Sequence, residues 1–500
     1  MSKQATAVKN KSMALDFVEA GDEDSLHQGL SQRTKDVRDL PEGITSRMLY
    51  GDIVQIAWPS MIEMFLTQLS SMVGLMMVGQ LGPWALNSVG LSTQPKFLMM
   101  MAFMSLNVGA TAMVARYKGA GQQEKANQIL RQALLMTFCF SIIGSILGFV
   151  FSEPLIRFMG APDAQSLAGG TIYLRIQFVG FIGFALTSTA TAALRGVGNS
   201  RIAMTYNIIS NVVNVIFNFL LITGRFGFPE MGVAGSSLAT VMGQFVAFGL
   251  AMRSLFSGKN YLHLRLRDGF KPDKEAMADI IKIGLPSLAE QMVMRVGMIT
   301  YTKTVTSLGT LSYATHMACM NVQQMSFMLG QALAVSATSL VGQSLGKMRS
   351  DMAQFYASRT RRIGMCVSLA LGLVFVLFGR QIISLYAGDN PDSQAIIDFG
   401  GQIMRLVAII LPFQSSQFIL AGALRGAGDT RSTAMISFIT VLLVRPGFAL
   451  LAVNVFHWGL WGAWIALFLD QILRSLLVLL RYNSGKWKQS VKMRVKKQPA

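Results

Sequence analysis

The sequence predicts an all-α integral membrane protein, in which twelve transmembrane helices form two repeat-related six-helix lobes around a central cavity. The 500-residue chain is 52% hydrophobic and only 14% charged, with a mean hydropathy of +0.45. This composition is too apolar for an ordinary soluble protein. Apolar segments of about 20 residues, the length that crosses a bilayer as a helix, recur along most of the chain. Motifs of the first half also return in the second.

The repeats have nearly constant spacing. The Pro-Ser-x-x-Glu motif that begins at Pro59 returns at Pro286, 227 residues later. The longer motif Leu-Arg-Gly-x-Gly-x-x-Arg begins at Leu194 and returns at Leu424, 230 residues later. Two duplicated halves around a central site are typical of alternating-access transporters.

The apolar pattern also predicts the domain organisation. We expect a disordered cytoplasmic tail (1–50), an N-lobe (51–257), a cytoplasmic linker (258–275), a C-lobe (276–482) and a basic cytoplasmic tail (483–500). The twelve predicted spans are residues 52–80, 88–115, 127–152, 166–194, 202–223, 232–256, 276–307, 314–343, 355–378, 395–424, 432–454 and 459–480.

The net charge of +19 is unevenly distributed. Of the 44 Lys and Arg residues, 35 lie in the termini and every second loop, and the alternate loops hold three. Basic residues are enriched in cytoplasmic loops, so both termini are predicted to be cytoplasmic and the protein to be a multi-pass protein of the plasma (inner) membrane. The same distribution argues against nucleic-acid binding. The cysteines and histidines have no metal-ligand spacing, and we expect no metal or cofactor.

Two carboxylates are the candidates for cation coupling. Glu63 and Glu290 lie in the first and seventh predicted spans, where ionisable residues are costly and usually functional or paired. A partly desolvated carboxylate can take up a proton on one side of the membrane and release it on the other. The alternative is a purely structural ion pair, and the repeat-related Arg175 and Arg405 are the predicted partners of Glu63 and Glu290.

Other polar residues are candidates for the lining of the cavity. Four asparagines of the fifth span are spaced 4, 3 and 4 apart and share one helix face, either for helix–helix hydrogen bonds or as the wall of a hydrated cavity. The candidate lining residues are Asn207, Asn211, Asn214, Asn218, Gln68, Gln291, Met64, Met294, Arg295 and His316. Asp470 is expected to pair with Arg474, one helical turn on.

Basic residues outnumber acidic ones inside the predicted spans. The six basic residues are Lys96, Arg175, Arg295, Lys303, Arg405 and Arg445. Either several of them pair or snorkel, or the substrate is zwitterionic or anionic.

The chain resembles the MATE (multidrug and toxic compound extrusion) family of antiporters over about residues 50–480. The resemblance rests on the two Leu-Arg-Gly-x-Gly-x-x-Arg motifs, on Val-Gly-Gln-Leu-Gly from Val78, and on Leu-Val-Gly-Gln-Ser-Leu-Gly from Leu340. It implies two six-helix lobes arranged as a V. It also implies export of amphipathic, often cationic, organic compounds in exchange for H⁺ or Na⁺.

The chain departs from one prokaryotic branch of this family. Where that branch has an aspartate in the first helix, this chain has Gly74, and the helix-5 aspartate is replaced by Asn218. We therefore do not expect the N-lobe cation site of that branch here. The four motif arginines are expected to bind lipid phosphate at the cytoplasmic interface, with a part in gating as the alternative: Arg195, Arg201, Arg425 and Arg431.

Two functions remain open from the sequence. The first is an antiporter whose partners are small-molecule drugs or organic cations, H⁺ or Na⁺, and membrane lipids, with no obligatory protein partner. The second is a flippase for a lipid-linked headgroup from the same broader superfamily, which would suit a basic cavity. An intramembrane enzyme is not expected, since the sequence has no paired catalytic aspartates and no nucleophile elbow.

Overall fold

The computed structural model describes residues 43–265, 269, 271–387 and 393–489. The predicted cytoplasmic tail 1–50 lies outside the described residues as far as residue 42, and the basic tail 483–500 lies outside them from residue 490.

Twelve long helices account for most of the described chain, and the predicted all-α fold class is confirmed. The helices are α1 (Ser46–Gly79), α2 (Pro83–Gly119), α3 (Gln123–Val150), α4 (Ala164–Gly196), α5 (Ser200–Leu221), α6 (Gly232–Phe256), α7 (Lys274–Thr306), α8 (Thr310–Gly346), α9 (Ser350–Ala387), α10 (Ser393–Gly426), α11 (Thr430–Val455) and α12 (Gly459–Asn483). Within the described residues, eleven of them are long and apolar enough to cross a membrane. The twelfth, α7, is less apolar because ionisable residues such as Lys282, Glu290 and Arg295 are spread along it.

The chain divides into two compact units, and the divisions fall inside α1 and α7. One unit contains the described residues up to 57, residues 118–121 and the described residues from 289 onward. The other contains residues 58–117 and the described residues of 122–288. The repeat is visible in this division too, because each break lies within three residues of the proline of a Pro-Ser-x-x-Glu motif.

In the first unit, the beginning of α1 belongs to the hydrophobic core. Ile53 and Ile56 are fully buried there against α8, α9 and α10. Polar contacts fix the same segment, since Ser336 donates a hydrogen bond to the carbonyl of Ile53 (3.2 Å) and Tyr356 donates one to Asp52 (2.6 Å). In the second unit, α2 and α4 pack through aromatic side chains, with Phe103 and Phe181 edge to face at 5.4 Å.

The ends of α4 and α10 are set by glycine. Gly198 and Gly428 have φ of +78° and +75°, a left-handed conformation that glycine adopts without steric cost. This lets the N–H of Asn199 bond the carbonyl of Leu194 (2.8 Å), and the same bond recurs between the repeat-related residues at the end of α10. The Leu-Arg-Gly-x-Gly motif is therefore a helix stop that leaves its arginine in the last helical turn.

Small residues allow a close approach between α2 and α4, and likewise between α8 and α10. Thr111 donates a hydrogen bond to the carbonyl of Ala192 (3.1 Å), and Thr338 donates one to that of Gly422 (2.9 Å). A Cβ on Gly426 would collide with the carbonyl of Thr338. Close approach through small residues and hydroxyls is the usual packing of membrane helices, which gain little from hydrophobic burial.

Helix α11 is irregular in the middle. It is α-helical over Thr430–Ser437, π-helical over Phe438–Val444, α-helical again over Arg445–Leu450, and π-helical over Leu451–Val455. π turns are rare and often mark functional positions.

We expect Gly426→Ala to destabilise the protein by about 1–3 kcal/mol, because the added methyl group meets a backbone carbonyl that cannot rotate away. Thermal unfolding of the purified protein in detergent measures this effect. Gly249→Ala is the control, since a Cβ there has nothing within 4 Å and alanine favours a helix over glycine. Equal melting temperatures for the two variants would contradict the close approach.

Candidate functional site

Glu290 is held in a buried polar pocket of the first unit. Only 2% of the residue is exposed. Its Oε1 accepts hydrogen bonds from Arg425 Nη2 (2.9 Å) and Ser437 Oγ (3.2 Å), and its Oε2 accepts one from Thr433 Oγ1 (3.1 Å). A buried carboxylate is stable only when its charge and its lone pairs are compensated, and this pocket supplies one cation and two hydroxyls.

Glu63 has a similar environment in the second unit. The residue is 7% exposed, and its Oε1 accepts hydrogen bonds from Arg195 Nη2 (2.6 Å) and Asn207 Nδ2 (2.8 Å). Its Oε2 has no hydrogen-bond partner among the described residues. Glu63 is therefore less completely satisfied than Glu290.

The two pockets are related by the sequence repeat. The offset of 230 residues that carries Arg195 onto Arg425 also carries Asn207 onto Ser437. Each unit thus bonds its glutamate through the arginine in the last turn of one helix and a polar residue on the next helix. Only the hydroxyl of Thr433 has no counterpart, because the equivalent position is Ala203.

The predicted pairs with Arg175 and Arg405 are not the pairs that the structure forms. The guanidinium of Arg175 lies 5.6 Å from the ring centre of Phe149, and Arg405 is exposed in a pocket with Arg380 and Asp398. Arg175 and the actual partner Arg195 are 20 residues apart on α4, or about 30 Å. The prediction counted depth from one end of each predicted span, which does not locate residues on helices as long as α4.

The expected position of two motif arginines at a lipid interface also needs correction. Arg195 and Arg425 point to the glutamates, with side chains 17% and 19% exposed. A buried carboxylate competes well for an arginine that could otherwise bind lipid phosphate, because attraction is stronger at low dielectric. Arg201 and Arg431 are exposed, and their lipid contact stays a prediction.

The asparagine stripe forms a ladder with α1. Asn211 donates to Thr67 (2.9 Å), and Ser70 donates to the side-chain oxygen of Asn214 (3.1 Å). The last amide, Asn218, bonds Asn214 (3.1 Å) and lies 3.3 Å from where a Cβ on Gly74 would be. These bonds support the helix–helix reading of the stripe.

The first unit has charges where the second has amides. Asp470 is fully buried, and its Oδ2 accepts hydrogen bonds from both Arg445 and Arg474. The predicted Asp470–Arg474 pair is thereby confirmed, and Arg445 is an addition that the sequence analysis did not assign. His316 is buried beside this cluster, with its ring 5.7 Å from that of Tyr301.

The remaining predicted lining residues are not gathered into one site by described contacts. Gln68 is exposed, and the others are partly exposed: Met64, Gln291, Met294 and Arg295. Within the part of the chain that the structure describes, no three His, Cys, Asp or Glu residues are grouped to hold a metal ion.

Comparison with known proteins identifies the family. The MatE family model matches residues 59–220 and again residues 286–451. The chain belongs to the MatE family. The two matches begin at the two repeat-related prolines, so the duplication seen in the sequence is that of the family. A MATE protein is a multi-pass membrane transporter and not an enzyme.

Relatives cover nearly the whole chain. It is 28% identical over 439 residues to the "Probable multidrug resistance protein NorM" of Thermotoga maritima, which covers 88% of this chain and 93% of that protein. It is 26% identical to the "Uncharacterized transporter YisQ" of Bacillus subtilis, covering 87% and 95%.

Solved structures share the fold. A MOP superfamily transporter from Pyrococcus furiosus matches with a TM-score of 0.80 at 22% identity, covering 92% of this chain and 98% of that chain. A MATE structure in the bent conformation matches with a TM-score of 0.79 over the same shares.

We expect Arg425→Gln to destabilise this MATE protein by about 3 kcal/mol, since it leaves the charge of Glu290 buried without its cation. Glu290→Gln should cost less, because the partly exposed Arg425 can turn toward water. The double variant should be more stable than the sum of the single effects predicts, which a double-mutant cycle of melting temperatures measures.

Arg405→Gln is the control for this cycle, because Arg405 is the partner predicted from the sequence and is exposed. It should show no coupling to Glu290→Gln. Coupling to Arg405 instead of Arg425 would contradict the structure.

Proposed function

We propose that the protein is a secondary active efflux transporter. It exports amphipathic organic compounds, organic cations above all, in exchange for H⁺ or Na⁺ by alternating access. The proposed location is the plasma membrane, with both termini in the cytoplasm. The single observation that carries the coupling is the burial of Glu290 with one arginine and two hydroxyls.

Such a carboxylate can exchange its compensating charge. Hydrogen bonds to a charged group contribute about 1.5–3 kcal/mol, and the glutamate keeps them while it is ionised. A proton that binds Glu290 removes the attraction to Arg425, so the arginine is released from the pocket. The carboxyl then remains satisfied by Thr433 and Ser437, which hold the neutral form in a buried place.

The geometry favours a proton over Na⁺. A sodium ion needs several oxygen ligands, while its charge is repelled by a guanidinium. Arg425 already lies 2.9 Å from Oε1, whereas a proton needs only one carboxylate oxygen. Glu63, with its unpartnered Oε2, is the second candidate for proton uptake.

The relatives support an organic substrate. The Thermotoga maritima relative is named a probable multidrug resistance protein. The excess of basic residues does not by itself oppose a cationic substrate, since Arg445 is paired with Asp470 and Lys303 is exposed. Lys96 is bonded by a neutral group, the side-chain oxygen of Gln177 (2.7 Å).

The test is transport of a fluorescent lipophilic cation by purified protein in liposomes. A pH gradient and a Na⁺ gradient are imposed separately on wild type and on Glu290→Gln. We expect movement driven by the pH gradient and its loss, by at least about tenfold, in Glu290→Gln, because the amide cannot take up the proton.

Glu230→Gln is the matched control, since Glu230 is an exposed glutamate in the loop before α6. It should transport like wild type. Movement driven only by Na⁺ would replace the proton as the coupling ion. Absence of movement under both gradients would sink the antiporter proposal, and lipid-linked substrates of a flippase would be assayed next.

A further inference from the structure

A second carboxylate lies in the same unit as Glu290 and is used by none of the steps above. We call Arg445, Asp470 and Arg474 the Asp470 cluster. Asp470 is 0% exposed, and both arginines bond the same oxygen, Oδ2. Oδ1 of Asp470 and Nε of Arg474 have no hydrogen-bond partner among the described residues. A structural ion pair would normally satisfy these buried atoms.

The charges of the Asp470 cluster do not cancel. Two guanidinium groups share one carboxylate, so the cluster alone carries one excess positive charge. Together with the Glu290–Arg425 pair, three arginines face two carboxylates. Excess charge in a buried site is stabilised by whatever opposite charge is nearest.

That opposite charge is Glu290. Arg474 is attracted electrostatically to Glu290 as well as to Asp470. Arg474 is therefore an arginine with two acidic neighbours, and it is hydrogen-bonded to only one of them. The other charged or titratable groups around the cluster are Tyr301, whose hydroxyl donates to the carbonyl of Ala463 (3.1 Å), and the buried imidazole of His316.

Helix α11 connects the two sites. Ser437, the last residue before the first π segment, bonds Glu290, and Arg445, the first residue after that segment, bonds Asp470. The irregular backbone of α11 thus lies between the two carboxylate contacts. This is an independent sign that the two sites act together, because π turns cluster at functional positions.

We propose that Asp470 is a positioning residue for Glu290, which acts by holding Arg474. While Asp470 keeps Arg474, Glu290 has only Arg425 as a bonded cation and takes up a proton readily. If Arg474 turns to Glu290, the ionised glutamate gains a second cation and resists protonation. The inference rests on the proposed role of Glu290 in proton coupling.

The proposal fixes the sign of two opposite effects. Arg474→Gln removes a cation near Glu290, so the pH at which Glu290 is half protonated rises. Asp470→Asn frees Arg474 for Glu290, so that pH falls. Each shift should be about one pH unit, and the double variant should lie between the two single variants.

The measurement is infrared spectroscopy of the purified full-length protein in detergent over a series of pH values. The C=O band of the protonated Glu290 carboxyl is identified by its disappearance in Glu290→Gln. This readout needs no transport, so a failure of the antiporter proposal in liposomes is distinguishable from a failure of this one. The pH profile of transport should shift in the same directions.

Controls separate positioning from folding. Arg474→Gln leaves Asp470 bonded by Arg445, so it keeps the proposal testable if Asp470→Asn does not fold. Asp470→Glu should restore the wild-type midpoint. Lys303→Gln removes an exposed positive charge from α7 and should leave the midpoint unchanged. An unchanged midpoint in Arg474→Gln, or a rise in Asp470→Asn, would overturn the proposal.

Discussion

The cost of an ionised carboxylate in a low-dielectric interior governs much of the architecture described above. Glu63 and Glu290 are tolerable only because each receives an arginine from the last turn of another helix. That arginine is available because a glycine in the left-handed conformation ends the helix just after it. The close packing of α8 against α10, which depends on Gly426, holds the same helix end in place. Charge compensation, helix termination and helix packing are thus one problem solved by one motif, used twice.

The two units solve the rest of the problem differently. In the second unit, neutral amides join α5 to α1 beyond Glu63, and every donor finds a partner on a neighbouring helix or the next amide. In the first unit, the corresponding helix α11 carries Arg445, and compensation needs a second carboxylate, Asp470. Amides keep their hydrogen bonds at any pH, while carboxylates and arginines respond to protons. The duplicated fold therefore holds one unit with a largely fixed polar interior and one with an interior of mobile charge.

The sequence predicts the fold well, because bilayer-length apolar segments and a repeat leave few alternatives. It also identifies both glutamates and the arginine motifs. It does not pair them correctly: Arg175 and Arg405 share the repeat symmetry of the glutamates, but so do Arg195 and Arg425. Symmetry alone cannot choose between residues 20 positions apart on one helix. The choice depends on how far α1 and α4 slide past each other, which is set by packing at Thr111 and Gly196. The Asp470–Arg474 pair was predictable because it is local, one turn along one helix, whereas Arg445 comes from another helix.

The π segments of α11 have a consequence for how this helix tolerates change. Each π turn contains more residues than an α turn, so the side chains after it are rotated by about 100° for each extra residue. Arg445 owes its direction toward Asp470 to this local unwinding as much as to its own identity. A deletion of one residue between Ser437 and Arg445 would give a more regular helix that aims its arginine elsewhere. The length of this segment is therefore itself a functional parameter, one that side-chain substitutions alone would not reveal.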